Sequence, residues 1–172
     1  KIEHKSVLES LENLANRGFK VTLLSPNSGG WIEPKTVIKA LQDNTLLVSV
    51  MQVNNETGVI QPIKAIASLL KQHDTYFHVD AAQGFGKELK QITEKRIDMI
   101  SLSGHKIYGP KGIGALVIRR RDGKRPPLLP LMYGGGQELG LRPGTLPVPL
   151  IVGLGKAAEL SRKEALERNI QS

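Results

Sequence analysis

The chain contains no cysteine. That excludes disulfides, cysteine-ligated zinc, iron–sulfur ligation and a cysteine nucleophile within it. No metal site is expected. No apolar run approaches the ~18 residues that would suggest a membrane span. The opening residues, Lys1-Ile2-Glu3-His4-Lys5, form no apolar signal core, so no secretion address is expected and cytoplasm is the expected compartment. Repeats and low-complexity tracts are absent. Acidic residues are outnumbered, 16 against 24 basic ones, for a net charge of +8. That excess draws attention to the run Arg119-Arg120-Arg121-Asp122-Gly123-Lys124-Arg125. It reads either as a patch for nucleic acid or an acidic partner or as a solvated hairpin tip around the turn dipeptide Asp122-Gly123. Aromatic residues are scarce and none interleaves with the run, which disfavours stacking on single strands. Direct nucleic-acid binding is therefore not expected.

What is present suits a single domain with a real core. Val7, Leu8, Leu11, Leu14 and Ala15 form a helical stripe within residues 6–16, and Gly18 is a natural stop. Residues 19–24 alternate like a short strand. Pro34 opens a helix to about Gln42. The β-rich run "TLLVSVMQV" (45–53) reads as a buried strand. Pro62 opens a helix over 63–71. Strands are expected at 75–79, 97–102 and 113–119, and Pro147 starts a long helix to about Arg168. Strands separated by helices imply an α/β domain, with a mostly parallel sheet and helices on both faces. The pair flanking residues 103–112 need not be parallel.

Ligands of open α/β sheets bind beyond the carboxyl ends of the strands. Three such ends carry polar sets: Asn54-Asn55-Glu56-Thr57-Gly58, Asp80-Ala81-Ala82-Gln83 and Ser103-Gly104-His105-Lys106. Singly, each has an ordinary reading. Asp80 reads as a helix cap, Asn55 as a turn residue, Lys106 as a surface lysine and His105 as a packed loop histidine. Together they match the needs of pyridoxal 5′-phosphate (PLP) chemistry. A lysine amine condenses with the cofactor aldehyde. A carboxylate on the pyridine nitrogen keeps the ring an electron sink. An amide holds the ring hydroxyl, and hydroxyl and imidazole donors hold the phosphate. Gly104, Gly109, Gly112 and Gly114 let the backbone approach closely. The glycines of "GPKGIG" fit no Walker pattern, and a strand rather than a helix follows them, against a dinucleotide fingerprint.

The segments "EHKSVL", "VNNETGVIQPI", "HVDAAQ", "SLSGHKIYGPKGIGAL" and "GGGQELGLRPGTLPV" carry a likeness. In this order the chain resembles cysteine desulfurases of the NifS/IscS type, within the class V aminotransferases, from Glu3 to about Glu159. "HKS" and "VNNETG" resemble the IscS-like branch, and "RPGTLPV" is similar to DndA-like members linked to DNA phosphorothioation. The resemblance implies the large domain of a fold-type I PLP-dependent transferase. It implies that Lys106 binds the cofactor and later moves protons at the substrate carbon, with Asp80 on the pyridine nitrogen. It places Gln83 and Asn55 near the ring oxygen, and His4 stacked on the ring with a part in acid–base steps. Without the likeness His4 would read as a helix-entry surface residue. Ser103 and His105 are implied phosphate ligands, and Thr145 is implied to reach the phosphate across a homodimer interface.

The resemblance also implies what residues 1–172 lack. Family members are more than twice as long. Their glycine–threonine phosphate loop lies upstream of the "HKS" motif, and their reactive cysteine loop and substrate-carboxylate arginine lie downstream of Thr145. The chain is thus expected to be the central part of the PLP-binding large domain, without the small domain. The implied activity of the parent converts L-cysteine to L-alanine and passes sulfur as an enzyme persulfide to an acceptor protein serving iron–sulfur assembly, tRNA thiolation or DNA modification. The fragment alone is expected to be inactive. Competing readings are another class V enzyme, such as an aminotransferase or selenocysteine lyase, a PLP-fold scaffold without turnover, and a basic nucleic-acid binder.

Overall fold

A computed structural model describes residues 1–171, with side chains through residue 165. Helices are α1 (Lys5–Asn16), α2 (Pro34–Ala40), α3 (Ile63–Leu69), α4 (Leu89–Ile92) and α5 (Val148–Gln171). Strands are β1 (Leu47–Met51), β2 (Tyr76–Asp80), β3 (Met99–Ser103) and β4 (Gly114–Ile118), in the spatial order β1-β2-β3-β4. The first two pairings are parallel and β3–β4 is antiparallel. Each parallel step crosses over through α3 or α4, whereas residues 104–113 return directly and reverse the chain. No helix among the described residues is long and apolar enough to cross a membrane.

The two-residue period of the strands sorts their side chains. Val50, Phe77, Val79 and Ile100 point to one face, where Val37 of α2, Ile63, Ile66 and Ala67 of α3, Leu70 and Ile92 of α4 close the core. The opposite face carries Ser49, His78, Asp80 and Ser101. A buried polar tether holds the amino ends of β2 and β3. The Arg96 guanidinium donates to the carbonyls of Leu70, His73 and Thr75 and, at 2.7 Å, to Asp98 Oδ2. That same oxygen accepts the Phe77 N–H.

Several expectations need correction. Residues 19–24 join no sheet, because no strand lies beside them among the described residues; Leu24 rests on the core while Phe19 and Leu23 stay exposed. Helix α2 stops at Ala40, where a turn closed by Thr45 Oγ1 on the Gln42 N–H, and by the Thr45 N–H on the Gln42 carbonyl, takes over. Helix α3 tightens into a 3₁₀ turn over Leu70–Gln72. Helix α4 had no sequence expectation. The hairpin tip at Asp122-Gly123 is present: Arg121 and Lys124 bridge, and both central residues have positive φ (51° and 76°), the signature of a type I′ turn.

Candidate active site

The site is assembled from the carboxyl ends of the three adjacent parallel strands. Beyond β1, the loop Asn54–Val59 closes on itself, with Asn54 N–H bonding the Val59 carbonyl and Gly58 N–H the Asn54 carbonyl. The loop is wound around the Asn54 side chain, whose Oδ1 accepts from the N–H groups of Glu56 and Thr57 and from Thr57 Oγ1. Asn55, displayed on that turn, is exposed and its amide donates to Glu56 Oε1. Asn54, unassigned in the sequence reading, is thus the buried organiser, and Asn55 is the group it presents.

Asp80 ends β2. Its Oδ1 accepts the Ala82 N–H at 3.0 Å, an Asx-type turn that sends the chain toward Gln83. Its Oδ2 takes no protein hydrogen bond among the described residues, although the residue as a whole is 92% shielded, being 8% exposed. Behind it, His78 shares the same strand face and is bracketed by hydroxyls: Ser49 Oγ lies 2.8 Å from Nδ1 and Ser101 Oγ 3.1 Å from Nε2. Burial holds the imidazole below its ordinary pKa, against the opposing pull of Asp80. His78 is therefore neutral at pH 7 and leaves the Asp80 charge uncompensated from within.

Beyond β3, Ser103 enters a 3₁₀ turn over Gly104–Ile107 that carries Lys106. Ser103 Oγ and His105 Nδ1 lie 2.9 Å apart. Lys106 is half-buried and its Nζ has no protein partner among the described residues. The glycines here serve the chain itself. A methyl on Gly104 would lie 2.9 Å from Ile113 Cγ2, one on Gly109 2.9 Å from the Gly104 carbonyl oxygen, and one on Gly114 2.7 Å from the Leu102 carbonyl oxygen. Gly112 has φ +86°. The backbone does approach Gly104, Gly109 and Gly114 closely, and the approaching backbone is the loop's own and that of its strands. Tyr108, in the left-handed region at φ 61°, completes the reversal.

Helix α5 braces this loop. Ala157 and Ser161 are buried on the helix face that meets it, with Ala157 Cβ 3.2 Å from a methyl built on Gly109. Gly153, one turn earlier, lets Pro110 approach to where a Cβ would meet its Cγ at 2.9 Å.

His4 caps α1, its Nδ1 accepting the Ser6 N–H and lying 2.8 Å from Ser6 Oγ. It is exposed. Gln83 follows Asp80 in the turn and is half-buried, its side chain without a hydrogen bond among the described residues. Thr145 lies exposed in the loop before α5. Two of the basic residues are spent on structure. Arg119 donates to the carbonyls of Ile92 and Glu94, and Arg121 to those of Asp74 and Thr75 while lying over the Tyr76 ring.

The family model for class-V aminotransferases matches residues 1–172. The chain belongs to that family. The cysteine desulfurase IscS of Rickettsia prowazekii is 53% identical over 169 residues, 98% of this chain and 40% of that protein. The mitochondrial cysteine desulfurase of Saccharomyces cerevisiae is 52% identical, with 94% of this chain matching 32% of it. Among solved structures, DndA from Streptomyces lividans superposes with a TM-score of 0.93 at 58% identity, over 96% of this chain and 47% of that one. SspA in complex with cysteine gives 0.83 at 52% identity, over 92% and 45%. The chain thus spans less than half the length of these relatives. Its architecture is that of the fold-type I large domain that the resemblance implied.

Two residues of this class-V chain escaped the sequence reading although a signal was there. His78 lies two residues before Asp80, so the strand period alone puts both on one face. Glu3 immediately precedes His4, and the structure ties it to β1, with its Oε1 accepting the Met51 N–H at 2.7 Å.

Proposed function

We propose that residues 1–172 are the central part of the PLP-binding domain of a cysteine desulfurase, which takes sulfur from L-cysteine, leaves L-alanine and hands the sulfur on as a persulfide. One observation supports this above others. A carboxylate with a free oxygen, Asp80, and an amine with no protein partner, Lys106, stand at the carboxyl ends of neighbouring strands, flanked by the Ser103–His105 pair and by Asn55. That donor and acceptor set fits PLP. Asp80 Oδ2 is free to accept a ring N–H, Lys106 Nζ to meet an aldehyde, and Ser103 and His105 to donate to a phosphate, with Gln83 and Asn55 beside the ring oxygen. When bound, PLP supplies a sink for the electron pair left at the substrate α-carbon.

The residues of this chain then have distinct tasks. Asp80 keeps a negative charge at the ring nitrogen, and neutral His78 does not compete for it. Lys106 holds the cofactor and afterwards carries a proton to or from the substrate α-carbon. His4 would supply an imidazole for proton exchange at the bound cofactor. The nucleophilic cysteine and the remaining phosphate and carboxylate ligands belong to parts of the parent outside these residues. The parent acts in the cytoplasm as a homodimer, with Thr145 reaching the partner's phosphate, and serves an acceptor protein.

The test is the absorption spectrum of the full-length protein, followed by borohydride reduction and peptide mapping. A visible cofactor band fixed as a pyridoxyl group on Lys106, with alanine formed from cysteine, is the expected result. A band with transamination in place of alanine would point to another class V chemistry. No band with added PLP would leave a scaffold.

A further inference from the structure

We propose that Glu3 is a positioning residue for His4, tying the segment that presents the imidazole to the sheet rung that carries Asp80. The inference rests on the reading of the site as a PLP centre with His4 above the cofactor. Residues 1–4 belong to no helix or strand, so side chains and the sheet edge must locate them. Two contacts from the end of β1 do so. Asn54 Nδ2 donates to the Ile2 carbonyl at 2.9 Å. Met51 N–H, an edge donor with no strand opposite it, is met by Glu3 Oε1 at 2.7 Å. Met51 is the register partner of Asp80. One carboxylate therefore fixes the residue adjoining His4 relative to the acid at the ring nitrogen. The imidazole itself is turned by Ser6, which engages Nδ1 and leaves Nε2 free of protein partners among the described residues.

The second oxygen of Glu3 is buried without a partner. Burial first, and Asp80 in addition, raise this carboxyl above its ordinary pKa, while the bond from Met51 opposes the rise. Met51 is buried, so water does not reach its N–H and a protein acceptor is needed there. The side chain is buried because it spans from the segment to the sheet, and only a group of its length does so. Aspartate, one methylene shorter, would leave the Met51 N–H unmet. Glutamine keeps both the length and an accepting oxygen.

The test uses the full-length holoenzyme with Glu3→Ala, Glu3→Asp, Glu3→Gln, His4→Ala and the Glu3→Ala/His4→Ala pair. The readouts are kcat and KM for cysteine, the visible circular dichroism of the bound cofactor, and Tm. Glu3→Ala and Glu3→Asp are expected to lower kcat about 10- to 100-fold, the scale of a misplaced catalytic group, and to alter the dichroism, with KM little changed. Glu3→Gln should restore most of both. In the His4→Ala background, Glu3→Ala should add almost nothing. Additive losses, or a fall in Tm with kcat and dichroism intact, would overturn the proposal while leaving the PLP reading standing. Absence of any cofactor band in the wild-type protein would overturn both.

Discussion

Gly86 offers a direct way to push on the lysine loop from below. It has φ +82°, and a methyl group built on it lies 2.9 Å from Ile107 Cγ2 and 2.9 Å from Ser161 Cβ. Ile107 is the neighbour of Lys106, and Ser161 belongs to the bracing face of α5. Gly86→Ala therefore carries two costs. The left-handed backbone costs an alanine about 1–2 kcal/mol. The contacts, nearly 1 Å inside the usual carbon–carbon separation, add roughly 1–3 kcal/mol of overpacking. The expected loss is about 2–5 kcal/mol in a urea titration of the full-length protein. The backbone share acts on stability alone. The packing share is relieved by moving Ile107, and so reaches Lys106, where it should slow fixation of the cofactor. Ser161→Gly opens one of the two contacts, so the double variant should recover part of the loss. A Gly86→Ala protein within about 0.5 kcal/mol of wild type, as for an ordinary surface change, with unaltered cofactor uptake, would refute the idea that this glycine is the floor of the loop.

Arg96→Met should cost about 3–5 kcal/mol, because Asp98, 3% exposed at the side chain, loses its close partner and three carbonyls each lose one donor; chemical denaturation would measure it. Asn54→Ala should cost about 1–3 kcal/mol from buried groups left unpaired, while Asn55→Ala should stay within about 0.5 kcal/mol in the same assay. His78, held below its ordinary 6.5 by burial, takes up a proton more readily when unfolded. Its contribution is present above the ordinary value and declines as pH falls through the lower folded value, so His78→Gln should flatten the slope of Tm on the acid side of pH 6.5. An equal slope in both proteins would show that His78 is not the responsible group. Arg120→Ala/Lys124→Ala should leave sedimentation with duplex DNA unchanged at low salt; loss of a salt-sensitive complex would revive the nucleic-acid reading.

The strands that form the sheet were legible because their apolar runs are short, β-rich and bounded by turn residues. The polar sets at their ends stood out because they interrupt apolar runs. Residues 19–24 misled for the same reason: alternation reports a face, but a strand also needs a neighbour to pair with, and that is not written in the segment itself. Asn54 and Asn55 show a second limit. Adjacent identical side chains divide into one that builds the turn and one that is displayed, and only the closed loop decides which. The basic run is a third case. Charge counting cannot show that Arg119 and Arg121 are occupied by carbonyls and by Tyr76. The bracing of the lysine loop by Gly153, Ala157 and Ser161 depends on where α5 lands, which its mixed composition does not announce.

The antiparallel return of β4 has a consequence for how such a site tolerates change. Asp80 and Ser103 arrive on neighbouring strands whose separation is a fixed spacing of about 4.8 Å. Lys106 hangs from a reversal whose two stems are bonded to each other, Gly104 N–H to the Ile113 carbonyl. The strand spacing therefore sets the separation of the two chain ends from which Asp80 and Lys106 extend. Helices α3 and α4 can drift in sequence and length while the strand ends stay in register, and a change of reaction within this architecture would be sought in the displayed loops beyond those ends.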